Sequence, residues 1–426
     1  MIGRDRIFEG WYVVGAVFVV LMVNAGLGFY GLAVYLEAIT EEQGFSTTSV
    51  SFATSLFFIV GAITGRAVAP VIQRRDLRIV VGAGGVVSAV GLVLVGRATS
   101  LPALYAAYVV FAVGFGLSGL VPATTLVTRW FEARRSVALS IGSTGLSVGG
   151  LTFTVLAAAL IDRWGMRDAT PWLAIIYIVV IGLALIALWP DPAERGQVPD
   201  GIVSEKAVTE APAGWTYEDA ARTWFFRLTT AGFVLAMAAQ VGGIAQLAKL
   251  GSERVDGATG TLLVSTVAGS SVVARLIGGV VATKVQLVVM TAVLALGQGG
   301  ALLLMSGADS RLTLVVTTLL FGATIGNLLM LQPLVLADRF GVTEYPKIYS
   351  VSQLIVTGLG VAGGPYLLGW LRDAESYRTS YSVAAMLSLA GGVVFFAAWH
   401  VDRRSGVEIG GEAGETAVDQ ANVRSA

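Results

Sequence analysis

Apolar runs of about 20 residues, each long enough to cross a ~30 Å hydrocarbon core, recur along the whole chain. They fall at roughly 11–37, 47–72, 79–96, 101–129, 135–161 and 169–189, then at 223–248, 257–282, 285–306, 311–338, 348–371 and 377–399. Twelve such runs predict an all-α polytopic membrane protein. Composition agrees: 55% of the 426 residues are hydrophobic and 13% are charged, too little charge to wet a soluble surface of this size. A formal net charge of zero points to neither nucleic acid nor an acidic partner. The chain has no cysteine, which excludes disulfides, thiol redox chemistry and thiolate metal sites. The first run, from Trp11, outlasts a signal-peptide core and no small-residue cleavage site follows it, so it is expected to be retained.

One connection is long. Residues 190–222 hold Pro190, Asp191, Pro192, Pro199 and several charges, and they divide the chain into six-helix bundles at 11–189 and 223–400. Residues 1–10 precede the first bundle, and the Gly-, Glu- and Ala-rich tail, 401–426, is expected to be disordered. Of the 28 Lys and Arg residues, 18 fall on the side of the two termini and 8 on the opposite side. The remaining two, Arg66 and Arg275, lie within spans. That bias predicts cytoplasmic termini, in a plasma membrane or a bacterial inner membrane. Trp11, Trp130, Trp164, Trp172, Trp189, Trp224, Trp370 and Trp399 sit at span ends, where the amphipathic ring prefers the interface.

The halves echo each other. Phe111, Gly116 and Arg129 in the fourth span match Phe321, Gly326 and Arg339 in the tenth at one constant offset. Gly149-Gly150 in the fifth corresponds to Gly363-Gly364 in the eleventh, and Gly65-Arg66 in the second lines up with Ala274-Arg275 in the eighth. Three sets in corresponding spans predict two pseudo-symmetric bundles, an arrangement suited to a pore rather than an intramembrane enzyme.

Arg129-Trp130-Phe131-Glu132-Ala133-Arg134-Arg135, running into Val137-Ala138-Leu139-Ser140, is similar to the "RWF..RR..AL" segment of the major facilitator superfamily's monocarboxylate-porter and oxalate/formate-antiporter group. Glu9-Gly10-Trp11 resembles that group's acidic-Gly-aromatic approach to the first helix, and the resemblance covers about residues 8–400. It implies twelve helices in two bundles and transport by alternating access. Gln73-Arg74-Arg75-Asp76-Leu77-Arg78 keeps the basic residues of the superfamily's loop after the second helix but has Gln73 where the Asp belongs. The resemblance implies a cytoplasmic latch there, for which Arg74, Arg78, Arg129, Arg134 and Arg135 are the candidates.

A charge inside hydrocarbon costs about 2.5–3.5 kcal/mol on insertion scales and asks for a reason. Arg275 is the foremost candidate: an arginine offers a carboxylate two parallel hydrogen bonds and stays charged. The resemblance places it at the group's eighth-helix arginine, which implies a substrate-carboxylate site. Arg66, at similar depth, is either a second half of a dianion clamp or a side chain reaching toward headgroups beside Arg74 and Arg75. Helices one, four, seven and ten line the cavity in this superfamily. They carry Asn24, Tyr30, Tyr35, Thr124, Thr125, Gln240, Gln246, Asn327 and Gln332, with Gln353 adjacent in the eleventh. Of these, Tyr30, Asn327, Gln240, Gln246 and Asn24 are the substrate-binding candidates; interhelical packing is the rival role for each. Gly363-Gly364-Pro365 and Pro122 are expected to mark bends.

Proton-coupled members of the group carry an acid one turn before the eighth-helix arginine, where this chain has Ser271, and some carry a lysine where it has Tyr30. No Asp or Glu lies deep in any predicted span, and the one histidine, His400, is at a helix end. The expectation is therefore a secondary active or exchange transporter for a small organic anion, a mono- or dicarboxylate. The alternative is an efflux carrier of the same fold for hydrophobic or drug-like compounds. No enzyme activity, metal, cofactor or nucleotide is expected: the spans lack clustered His, Cys, Asp or Glu, and no glycine-rich phosphate loop is present. The expected partners are the anion and the bilayer, and the expected functional unit is a monomer.

Overall fold

The computed structural model describes residues 8–189, 191–201 and 214–423. The basic residues Arg4, Arg6, Lys206 and Arg424, which help orient the chain above, lie outside the described residues. Among the described residues, 11 helices are long and apolar enough to cross a membrane. One, Arg135–Leu185, has 51 residues, or ~77 Å of helix at ~1.5 Å per residue, more than twice a bilayer core. Its backbone breaks at Gly165 (φ 75°, ψ 164°), which glycine adopts without a Cβ penalty. The break makes two spans of one helix, so the described residues form twelve span-length segments.

The spans are α1 (Gly10–Gln43), α2 (Thr47–Arg74), α3 (Leu77–Arg97), α4 (Leu101–Trp130), α5 (135–164), α6 (166–185), α7 (Trp224–Arg254), α8 (Gly257–Val281), α9 (Leu287–Ser306), α10 (Arg311–Phe340), α11 (Tyr345–Ala374) and α12 (Tyr377–Val423). An even number of crossings puts both ends on one side, the termini face. Helix starts carry polar caps: the side chains of Ser46, Thr223, Asp256 and Ser310 accept from the backbone N–H groups of Ser49, Phe226, Thr259 and Thr313. Two spans depart from regular α geometry. Asn24–Tyr30 in α1 and Val356–Val361 in α11 are π-helical, a local widening that concentrates at functional sites. In α4 the helix is interrupted at Gly119, three residues before Pro122.

The last helix runs on to Val423, although its tail is expected to be disordered from 401. No proline lies in 401–423 to stop it, so the helix simply continues from the span.

The two bundles repeat each other's packing. Within them α1 lies on α5 and α7 on α11, α3 on α4 and α9 on α10, α2 on α4 and α8 on α10. Gly149 lets α5 approach the Met22 carbonyl of α1, and Gly364 lets α11 approach the Ala238 carbonyl of α7. Residues without side chains permit this close approach in both bundles. Between the bundles, α5 meets α8 and α2 meets α11.

The register of the repeat corrects one reading. A Cβ on Gly116 would stand 2.7 Å from the Gly61 carbonyl oxygen, and one on Gly326 would strike that of Ser271. Both pairs differ by 210 (326 − 116 and 271 − 61). The counterpart of Arg275 is then 275 − 210, Gly65, and not Arg66. One residue is ~100° of helix rotation, so the two arginines face in different directions.

The linker is strapped to both bundles at the termini face. Arg195 pairs with Glu9 at 2.7 Å and Glu194 with Arg78 at 3.3 Å, while Asp200 accepts from the backbone N–H groups of Glu132, Ala133 and Arg134 at 2.9, 2.7 and 3.3 Å. On the other bundle, the Tyr217 N–H donates to Glu344 at 2.7 Å and the Trp215 N–H to the Phe340 carbonyl at 3.2 Å.

Candidate functional site

Among the described residues, Arg275 is the one charged side chain in the buried set, at 2% exposure. It stands six residues before Val281, ~9 Å of helix from the termini-face end of α8. Its Nε donates to the Gly326 carbonyl of α10 at 3.0 Å, and its Nη1 donates across the bundle boundary to the Ser143 carbonyl of α5. In return the Ser140 hydroxyl donates to the Arg275 carbonyl at 2.5 Å. Gly279, one turn further along α8, makes room for the Ser140 side chain: a Cβ there would lie 2.7 Å from its Oγ.

A guanidinium has five N–H donors and no acceptor. Two are used here, and no described residue accepts from Nη2. No described carboxylate lies within ion-pair distance of Arg275. The titratable side chain nearest to it in electrostatic effect is the neutral Tyr30 phenol, at the end of the π-helical segment of α1. The Tyr30 ring rests against Gly150 of α5 and its side chain is 40% exposed, so it lines open space rather than a packed core. The site thus offers a buried cation with free planar donors beside a phenol, on four helices from both bundles. That combination suits a planar oxyanion.

Asn327 joins this neighbourhood. Its Nδ2 donates to the carbonyls of Ala274 and Ala323 at 3.0 and 3.1 Å, fixing α10 to the turn of α8 that carries Arg275, and its buried Oδ1 has no partner. Gln240 of α7 is buried with Oε1 unpartnered. The other candidates stand elsewhere. Asn24 accepts from Tyr177 at 2.7 Å and Ser118 at 3.1 Å and donates to the Val20 and Ser118 carbonyls, a hub inside the first bundle. Gln246 accepts from Ser380 at 3.2 Å, joining α7 to α12 inside the second bundle. Arg66 lies over the Tyr217 ring at 5.6 Å, reaching the linker at the termini face rather than Arg275. Ser140, Ser143 and Gly326 are absent from the sequence candidates. The run Ser140-Ile-Gly-Ser143-Thr-Gly145 carries the one available signal, a stripe of small residues that lets another helix come close.

The bundles are closed toward the termini face. Gln73, where the latch Asp is expected, donates to the Thr343 carbonyl of the other bundle at 3.3 Å. Arg135 donates to the Phe131 carbonyl at 3.0 Å and interacts across the boundary with Tyr345 and Asp338. Arg129 donates to the Ile72 carbonyl at 3.2 Å, Arg78 pairs with Asp76 at 3.2 Å, the Arg134 amide is held by Asp200, and Arg74 is exposed. At the facing corner, the Lys347 ammonium and the Tyr217 N–H hold the Glu344 carboxyl below the ordinary carboxylate range.

A sequence profile described as "Major Facilitator Superfamily" matches residues 17–355. The chain is 27% identical over 403 residues to a protein of Rattus norvegicus named "Monocarboxylate transporter 13", covering 92% of this chain and 89% of that one. It is 25% identical over 197 residues to the "Oxalate:formate antiporter" of Oxalobacter formigenes, covering 46% of each. Its fold superposes on the crystal structure of FucP in the outward conformation with a TM-score of 0.71 at 14% identity, covering 93% of this chain and 99% of that one.

Proposed function

Because the chain belongs to the Major Facilitator Superfamily, and is thus a multi-pass membrane transporter and not an enzyme, we propose that it carries a small organic anion, a mono- or dicarboxylate, by alternating access. The observation that carries this reading is Arg275: buried, free of any carboxylate partner among the described residues, and with no described acceptor at Nη2. The names of the relatives, a monocarboxylate transporter and an oxalate:formate antiporter, support the same class. The termini face is cytoplasmic on this reading, in a plasma or bacterial inner membrane, so the conformation is closed inward. One chain is the working unit.

The mechanism follows from the bonds Arg275 makes. To open toward the termini face, α5 must leave α8, and the Nη1–Ser143 and Ser140–Arg275 bonds must break. A buried donor left without an acceptor costs about 1–3 kcal/mol, more if charged. A carboxylate seated on Nη1 and Nη2 supplies the missing acceptor, with the Tyr30 hydroxyl as a further donor to it; Asn327, whose Nδ2 is already given to the Ala274 and Ala323 carbonyls, positions α10 against α8. The loaded carrier then crosses a barrier the empty carrier does not, and exchange of anions is favoured over net flux. The driving free energy is the difference in binding between the two states.

Binding of ionised carboxylates to the purified protein, followed by thermal shift or calorimetry, tests the substrate class. Saturable binding that disappears in Arg275→Ala and survives weakened in Arg275→Lys is expected. Equal binding in all three proteins would overturn the assignment.

A further inference from the structure

On the outer surface of the first bundle, α2 and α3 enclose an apolar groove of about 460 Å³. Its walls are helical stripes, Ala67, Val71 and Arg75 along α2 and Ile79 and Ala83 along α3, with Leu117 of α4 on the floor. Ala67 and Ala83 leave the space; Val71 and Ile79 stay 43% and 66% exposed along the rims. From Ala67 to Arg75 the groove runs eight residues, ~12 Å of helix, close to the ~15 Å depth of hydrocarbon in one leaflet. The tight turn between α2 and α3 closes the groove at the termini face, and Arg75 stands there.

The cation at that end is unclaimed. Asp76, its neighbour, is held by the backbone N–H and Nε of Arg78, and Glu194 is held by Arg78 as well. No described carboxylate pairs with Arg75, and its side chain is exposed. An apolar slot of one-leaflet depth, ending in a free arginine at headgroup level, has the shape and charge of one lipid molecule.

We propose that this groove is a binding site for an anionic phospholipid, one acyl chain lying between Val71 and Ile79 and the headgroup phosphate on Arg75. None of its lining residues touches Arg275, so its occupancy is independent of the substrate assignment. A lipid there ties α2 to α3 at the turn, beside Gln73 and its bond across the bundle boundary.

Native mass spectrometry of the full-length protein, equilibrated with phosphatidylglycerol and phosphatidylcholine of matched chains, is the test. One arginine meeting one anionic headgroup corresponds to about a fivefold preference for phosphatidylglycerol. That preference is expected in the parent protein and in Arg74→Gln, and is expected to vanish in Arg75→Gln. Ala83→Trp, which fills the slot, is expected to lose the bound lipid of either kind while circular dichroism reports the helices intact. Equal retention of both lipids by the parent, unchanged preference in Arg75→Gln, or an equal loss in Arg74→Gln would overturn the site in favour of ordinary annular lipid.

Discussion

Arg275 of α8 donates from Nη1 to the backbone carbonyl of Ser143 on α5, so the guanidinium proposed to hold the substrate also fastens one bundle to the other. Binding and conformational change are thereby linked through one side chain. A ligand that takes those N–H groups removes part of what holds the bundles closed.

Arg275→Ala removes the guanidinium from both roles. Losing a buried charge-assisted partner is worth about 2–5 kcal/mol, so carboxylate transport in proteoliposomes is expected to fall by at least about thirtyfold. Arg275→Lys keeps the charge but not the planar fork, and is expected to fall in between. A mutant with unaltered transport would show that the anion binds elsewhere.

The two serines separate hydroxyl from carbonyl. Ser140 donates its hydroxyl to the Arg275 carbonyl, whereas Ser143 contributes its backbone oxygen. Ser140→Ala is expected to weaken closure by about 0.5–1.5 kcal/mol and to speed return of the empty carrier by about two- to tenfold, read as net uptake without internal anion. Ser143→Ala, which keeps its carbonyl, is expected to behave as the parent.

Gly279→Leu places a side chain where Ser140 now packs. Overpacking costs about 1–3 kcal/mol, enough to shift a two-state equilibrium about fivefold or more, away from closure at the termini face. The chain has no cysteine, so a single cysteine at Ser143 reports the shift cleanly. Its maleimide labelling from the termini face is expected to rise in the Gly279→Leu background and to stay low without it.

Glu344 carries the pH dependence. Its folded carboxyl lies below the ordinary range because the Lys347 ammonium, and then the Tyr217 N–H, favour the charged form. A depressed carboxyl stabilises above its unfolded pKa, ~4.3 for glutamate, and that contribution is lost as pH falls through the folded value. Hydrogen-exchange protection of the Tyr217 amide, corrected for intrinsic rate, is expected to hold from pH 7 to about 5 and to drop below the carboxylate range. In Glu344→Gln, whose amide oxygen still accepts but does not titrate, it is expected to be lower than in the parent at pH 7 and unchanged with pH.

Much of this fold is legible in the sequence because the bilayer imposes length. A stretch such as 47–72 announces its helix by apolar run alone, and the structure places one at Thr47–Arg74. The paired glycines mark corresponding positions of the two halves, but which helix comes close to each, α1 at Gly149 and α7 at Gly364, is seen only in the structure. The boundary between the fifth and sixth spans is legible from Asp162, Arg163 and Arg167, but its form is not: one glycine at positive φ, Gly165, turns the chain where the charges read as a loop. The π-helical turns escape because apolar periodicity over Asn24–Tyr30 does not separate a wide turn from a regular one.

The site was half legible. Arg275 stands out because a charge in hydrocarbon is rare in any span. The amides do not, because partner choice depends on helix rotation: Asn24 and Gln246 turn into their own bundles, where Tyr177 and Ser380 meet them. Arg66 shows how sharp that dependence is. A register of 210 rather than 209 moves it from the mate of Arg275 to the neighbour of Tyr217.

Radiolabelled carboxylate uptake into proteoliposomes, loaded or not with the same unlabelled anion, tests the central claim most directly. Uptake that requires internal anion in the parent and is absent in Arg275→Ala is the predicted result. Equal uptake into loaded and empty vesicles, or uptake that survives in Arg275→Ala, would contradict an anion exchanger that reads its substrate through Arg275.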